Sequence, residues 1–227
     1  MKNPNIEPEK IYHFYNHANG FENIFLEQRN FGYFLKKVKQ RLEPVLEILA
    51  YCLLDNHFHL VARSRAADTI DAYAAQLTSV KGKPFTYPTN VSPDERYNYF
   101  VTRQLTNFLI SYSRAFNKTY HRRGALFQER MPFKLIDSRG YLRSVIRYVH
   151  LNAVHHGIVR GIDLWPHTSL HTFYGHENPL QIPIAEIFAW FGGADAFWEA
   201  HRHFRRCHVL GLEPHGIAWS DEVILYP

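Results

Sequence analysis

The apolar positions of the chain change period several times, and each change marks an element. Residues 11–16 (IYHFYN) have strand length and composition, and the turn-rich residues 16–20 end them. Phe31, Phe34, Leu35, Val38 and Leu42 then recur at helical spacing, with Lys36, Lys37, Lys39 and Arg41 on the other side, until Pro44 stops the pattern. Residues 45–54 form an almost uncharged run of strand length. Asp55 and Asn56 supply a turn and a second run follows over 57–63, which predicts a hairpin. Residues 64–95 read as an inserted elaboration: a short helix over 68–77, then Gly82, Pro84, Pro88 and Pro93, which disfavour regular structure. From Asp94 a stripe of Tyr97, Phe100, Val101, Leu105, Phe108, Leu109, Tyr112 and Phe116 predicts a long helix. Residues 125–136 read as a strand broken near Met131 and Pro132, and Ser138 caps a helix that runs to about His155, with Gly157 as its stop signal.

Strand, helix, hairpin, helix, strand, helix is an order that predicts an α+β fold, a mainly antiparallel sheet with helices covering one face. Beyond Trp165 and Pro166 the character changes, and residues 184–191 and 194–204 read as two short amphipathic helices around Gly192 and Gly193. The expected organisation is one domain over residues 1–175 and a small helical C-terminal extension over 176–227.

Composition narrows the class. At 227 residues with 46% hydrophobic and 15% aromatic positions the chain suits a globular protein with a sizeable core. No stretch approaches the roughly 18 uncharged apolar residues of a membrane span, and the N-terminus has no apolar signal region, so a cytoplasmic location and no membrane partner are expected. Two cysteines, Cys52 and Cys207, exclude a disulfide framework and a paired-cysteine zinc site. The net charge of +5 is unevenly spread: between Arg103 and Arg147 ten Lys/Arg face two acids, Glu129 and Asp137, and the rest of the chain is net acidic. Such a local field attracts a polyanion, although a solvated basic helix face would have the same composition.

Two constellations carry candidate chemistry. His57 and His59 are alternate residues of a predicted strand, so they leave one face about 7 Å apart while Phe58 and Leu60 point to the core. Two imidazoles so placed can reach one ion; a chain with 15 histidines also contains such pairs by chance, and two partly exposed strand histidines fit the spacing equally well. On the helix after Ser138, Tyr148 and Asn152 share a face, flanked by Tyr141 and Ser144, while Leu142, Ile146, Val149 and Ala153 form the stripe that buries against the sheet. Aromatic residues on helices are more often packing than nucleophiles. Arg114, Lys118, Arg122 and Arg123 gather around one helix end and turn, where they suit a phosphate backbone, and Tyr112, Tyr120 and His121 offer rings for unpaired bases.

Three segments in register carry a family resemblance: LAYCLLDNHFHLV over 49–61, RRGALFQ over 122–128, and YVHLNAV over 148–154 with Gly157. Over about residues 11–175 the chain resembles REP-associated tyrosine transposases, part of the insertion-sequence-200-like single-tyrosine HUH transposases, where HUH denotes His-hydrophobic-His. The resemblance implies a ferredoxin-like nuclease core. It implies that His57 and His59 bind a divalent metal with Asn152 as third ligand, and that Tyr148 attacks single-stranded DNA beside a recognised DNA hairpin, leaving a 5′-phosphotyrosine and a free 3′-hydroxyl. The residues around Trp165, Pro166 and Ser169 look like the family's usual sequel to the tyrosine helix. Two positions depart from the pattern. Ala153 stands where a proline is common, and His17 stands where an arginine is common near the end of the first strand, which removes one phosphate contact.

The residue types suit that reaction. A phenol, with a pKa near 10, is both a fair nucleophile and a fair leaving group, so a phosphotyrosine link can be made and reversed. Imidazoles with an amide oxygen suit Mn²⁺ well and Mg²⁺ acceptably, either acting as Lewis acid. Two other readings of the sequence stand: a non-catalytic, domesticated protein that binds structured DNA, and a histidine-metal hydrolase, which is weakened because Asp55 is the only carboxylate near the pair. A monomer and a homodimer are both compatible with the sequence.

Overall fold

Strand β1 (Ile11–His17) leads through helix α1 (Gln28–Arg41) to a hairpin of β2 (Leu46–Leu54) and β3 (His57–Ser64), with Asp55 and Asn56 as its two-residue turn. These elements belong to a computed structural model that describes residues 5–77, 82–128 and 130–209, with side chains as far as residue 202. Helix α2 (Ala67–Gln76), the long α3 (Arg96–Thr119), strand β4 (Phe133–Ile136) and helix α4 (Arg139–His155) follow, then α5 (Leu170–Phe173), α6 (Ile184–Phe191) and α7 (Ala194–Val209). The chain forms two compact units, residues 1–184 and 185–227. In the second, Phe197 packs on Phe191 and His201; residues 210–227, included in the expected extension, lie outside the described residues.

The sheet order is β2-β3-β1-β4 and every pairing is antiparallel. β1 and β2 are the outer strands of a split βαβ unit with β3 between them, so the predicted α+β, ferredoxin-like arrangement is present. This topology has a local consequence for the site. It brings β1 beside β3, with His17 opposite His57 and Tyr15 opposite His59, pairs forty or more residues apart in sequence.

Helices cover both faces of the sheet, which corrects the expectation of one. Phe34 of α1 meets Phe58 of β3 at 4.9 Å between ring centroids and Phe108 of α3 at 5.0 Å, closing one face. The opposite face receives α4, which packs on β2 and β3. The nearly continuous apolar run of β2, buried at every position but Glu47, is the signature of two-sided burial rather than of alternation. Each fully buried aromatic contributes about 1.5–3 kcal/mol through the area it removes from water.

Among the described residues of 125–132 there is no strand. Phe127 makes a single bridge to Ala18, while Asn19 N donates to Leu126 O and Gln128 N to His17 O, both within 3.1 Å. Regular pairing begins only at Phe133, after Pro132, which has no N–H to give to a ladder. The outer edge of β2 is covered instead of exposed: Leu53 N donates to His167 O and Ser169 N to Tyr51 O, each at 2.9 Å. The short helix α5 after this segment had no signal in the sequence pattern.

Candidate functional site

Alternation along β1 and β3 sends the odd-numbered residues toward α4. His13, Tyr15 and His17 of β1 and His57 and His59 of β3 therefore share one face, and α4 lowers Tyr148, Asn152 and the adjoining His156 onto them. The His57 and His59 rings lie 5.2 Å apart at 86°, and the Tyr148 ring meets His59 at 5.5 Å. Asn152 Oδ1 lies 3.2 Å from His57 Nε2. The four residues singled out in the sequence thus converge from two elements. They are buried: His57 and His59 are each 4% exposed and Asn152 is 0%, which removes the reading of two partly exposed strand histidines. Tyr148, at 7%, keeps the most surface of the four.

Helix α4 is placed from both ends. Ser138 Oγ accepts from Tyr141 N at its start, and His150 Nε2 pairs with Ser169 Oγ at 2.8 Å, the same hydroxyl that accepts from Tyr51 N at 2.8 Å. More of α4 is buried than the predicted stripe: Val145, Tyr148, His150, Leu151 and Asn152 join Leu142, Ile146, Val149 and Ala153. Ala153 leaves the helix intact to His155, and Gly157 then turns the chain at φ 67°.

The hydrogen bonds define which nitrogens face the centre. His57 Nδ1 donates to Asn56 Oδ1 at 2.7 Å. Burial, with lesser contributions from His17 and His156, lowers the His57 pKa to about 3, so the ring is neutral at pH 7 and its Nε2 carries a lone pair. That lone pair faces the Asn152 carbonyl oxygen, another acceptor. Two acceptors 3.2 Å apart repel unless a cation or a shared proton lies between them. The Asn152 amide nitrogen is buried and finds no hydrogen-bond partner in the protein. Both observations fit a cation held beside His57 and the Asn152 oxygen. Among the described residues no three His, Cys, Asp or Glu side chains converge as a metal-binding group.

Burial dominates the remaining shifts. His59 sits well below the ordinary histidine range through burial and then through neighbouring His13, and His13 is lowered to about 4 by burial and the charge of Lys134. Burial raises the Tyr148 phenol, while the Asn152 amide one turn away favours the phenolate and offsets part of that rise. The Cys52 thiol, on the same face as His59, is pushed far up by burial and is inert as a nucleophile.

The residues proposed for DNA divide into two groups. Arg114, Lys118, His121 and Arg123 are exposed at the end of α3 and the turn after it. Arg122 is tied down, paired with Glu22 and bonded to Ala125 O at 2.8 Å and Gly124 O at 3.2 Å, and Tyr120 bonds Glu27 Oε1 at 2.9 Å. Tyr112 is core, 1% exposed, with its hydroxyl on Ile24 O at 2.6 Å, and offers no ring for a base. The turn is stitched to the His17 end of β1 through Leu126 and Gln128, and Ala18 N donates to Asn56 O at 2.7 Å. The basic turn and the histidine face therefore meet at one end of the sheet.

Four contributors to this face escaped the sequence reading. His13 pairs its Nε2 with His59 Nδ1 at 2.9 Å, His17 stacks on His57 at 4.6 Å and 19°, and His156 meets His57 at 4.8 Å. Lys134, opposite His13 in the β1–β4 register, brings an exposed cation to the same side of the sheet. The alternation His13-x-Tyr15-x-His17 was the available signal, and it gained meaning only once β1 was known to lie beside β3.

Comparisons with known proteins agree with the fold. No family model matches the chain. A curated protein of Haemophilus influenzae, a putative REP-associated tyrosine transposase, is 26% identical over 159 residues, covering 66% of this chain and 78% of the relative. Among solved structures, a REP-associated tyrosine transposase bound to a REP hairpin aligns with a TM-score of 0.50 at 15% identity, over 78% of this chain and 85% of that one. Among the described residues no helix is long and apolar enough to cross a membrane. In sequence and in fold, the chain is similar to the REP-associated tyrosine transposases.

Proposed function

We propose that this protein cleaves and rejoins single-stranded DNA through Tyr148, next to a DNA hairpin that it recognises. The carrying observation is the convergence, on one buried face, of the Tyr148 ring with His59 and of Asn152 with His57. The similar solved structure is bound to a REP hairpin, and this chain supplies exposed cations, Arg114, Lys118 and Arg123, at the end of the sheet where the histidine face lies.

In this reading the Tyr148 oxygen attacks the scissile phosphorus and displaces the 3′ oxygen, which leaves as a hydroxyl once protonated. The product is a 5′-phosphotyrosine, and attack by a 3′-hydroxyl reverses the step and rejoins a strand. His57, His59 and Asn152 would hold a divalent cation, Mn²⁺ or Mg²⁺, whose chemistry is to polarise the phosphoryl oxygen and orient it. The dry setting strengthens each polar contact made there. Arg122 and Tyr120 shape the turn, and Arg123, His121, Arg114 and Lys118 contact the strand.

The test is a short single-stranded DNA that carries a hairpin from the source genome, incubated with Mn²⁺ or Mg²⁺ and resolved under denaturing conditions. A covalent protein–DNA adduct is expected, and Tyr148→Phe should abolish it while binding survives. An adduct that persists in Tyr148→Phe removes Tyr148 as the nucleophile. Binding without any adduct across a set of hairpins favours a non-catalytic binder of structured DNA.

A further inference from the structure

One side chain of the histidine face is neither the attacking group nor a metal ligand in the reading above. His13 is 3% exposed and reaches diagonally from β1, where Tyr15 is the register partner of His59, to place Nε2 2.9 Å from His59 Nδ1. The two rings stack at 5.0 Å and 26°, and the His13 edge meets the Tyr148 ring at 6.2 Å and 78°. We propose that His13 is a positioning residue: it accepts the Nδ1 proton of His59 and so fixes the ring orientation and tautomer that leave His59 Nε2 unprotonated for a cation. This rests on the ligand role given to His59 above.

A neutral imidazole has one proton, and the partner of one nitrogen decides which nitrogen holds it. For His57 that partner is the adjacent Asn56, whose Oδ1 can only accept. His59 has no equivalent neighbour in sequence, because Phe58 and Leu60 point to the opposite face, and its ring hydrogen bond goes to His13. The two members of the pair are therefore organised alike, each with Nδ1 engaged by a side chain, but by partners of different origin: one local and exposed, Asn56, and one buried and brought across the strands by the split βαβ topology, His13. The bond can run in either direction between two imidazoles. Only donation from His59 to His13 leaves His59 Nε2 with a lone pair; the reverse puts an N–H where a ligand is needed. Outer partners of this kind typically contribute about 10–100-fold to metal affinity.

The experiment uses the full chain, labelled with ¹⁵N at histidine, and reads the tautomers from long-range ¹H–¹⁵N spectra of the metal-free protein at neutral pH. His59 should carry its proton on Nδ1 in the wild type and lose that preference in His13→Phe. Mn²⁺ affinity, read by electron paramagnetic resonance of the free ion, should fall about 10–100-fold in His13→Phe. His13→Gln, whose amide oxygen can accept the same proton, should recover both to within a few-fold. His59 carrying its proton on Nε2 in the wild type overturns the proposal, as does unchanged Mn²⁺ affinity in His13→Phe. The two readings fail separately. A missing DNA adduct, with tautomer and Mn²⁺ affinity both dependent on His13, leaves the positioning role standing; a normal adduct with Nε2-protonated His59 removes that role alone.

Discussion

On β1 and β3, Phe14, Phe58 and Leu60 point toward α1 and α3, while their sequence neighbours His13, His17, His57 and His59 point toward α4. Apart from half-buried His17 both sets are buried, yet burial acts on them in opposite senses. On the aromatic face it supplies free energy, because rings leave water and meet other rings. On the histidine face it costs free energy, since imidazoles must be kept neutral and their nitrogens paired. A strand repeats every two residues, so one stretch of chain can carry a stabilising face and the face proposed to be reactive without compromise between them.

The largest expected separation of the two faces is in chemistry. Tyr148→Phe, on the reactive face, should lower adduct formation by at least about 10³-fold while changing the unfolding free energy by less than about 1 kcal/mol, read by gel assay and urea titration on one preparation. On the aromatic face Phe58→Ala should do the reverse. It opens a cavity between Phe34 and Phe108 and is expected to cost about 3–5 kcal/mol in urea unfolding, with adduct chemistry retained wherever the variant is folded.

Acid should single out the reactive face. Unfolded histidines titrate near 6.5, whereas folded His13 titrates at about 4 and His57 at about 3. Above pH 6.5 these groups are neutral in both states and stability is flat with respect to them. Below it the unfolded chain takes up protons that the folded chain refuses, so metal-free stability falls as the pH drops from 6.5 toward 4, by about 3 kcal/mol for His13 alone. Urea titrations at pH 7 and pH 4.5 check this, and His13→Phe should flatten the dependence.

The smallest effects concern the basic turn. Arg122→Ala removes several bonds at once and should destabilise by about 1–2 kcal/mol. Arg123→Ala should leave stability unchanged and reduce the salt dependence of DNA binding by about one unit of slope, measured by titration at several salt concentrations. Equal behaviour of the two variants would erase the distinction drawn between them.

Legibility in the sequence followed the range of the interactions. The helix of Phe31, Phe34 and Val38, the hairpin around Asp55 and Asn56, and the Ser138 cap are local, and each appears where the pattern places it. The pairing of Tyr148 with Asn152 is also local, one helical turn. What the pattern did not carry was adjacency between distant strands, so His13, His17 and the second helix layer stayed hidden. Residues 125–132 misled for a different reason: their apolar spacing suits a strand, but the segment makes isolated links and ends at a proline. Tyr112 belonged to the stripe of α3 and is buried there, so its ring was never available to a base.

The hydroxyl of Ser169 joins the β2 edge to His150, and His150 lies on roughly the opposite side of α4 from Tyr148 and Asn152. Held on both flanks, the helix loses rotation about its own axis as a degree of freedom. At a side-chain radius of roughly 6 Å, a turn of about 10° would swing an atom by about 1 Å, and misplacement on that scale can cost about 10²-fold in rate. The nucleophile role proposed for Tyr148, which would be freed and attack again in the same place, is served by a helix that cannot roll.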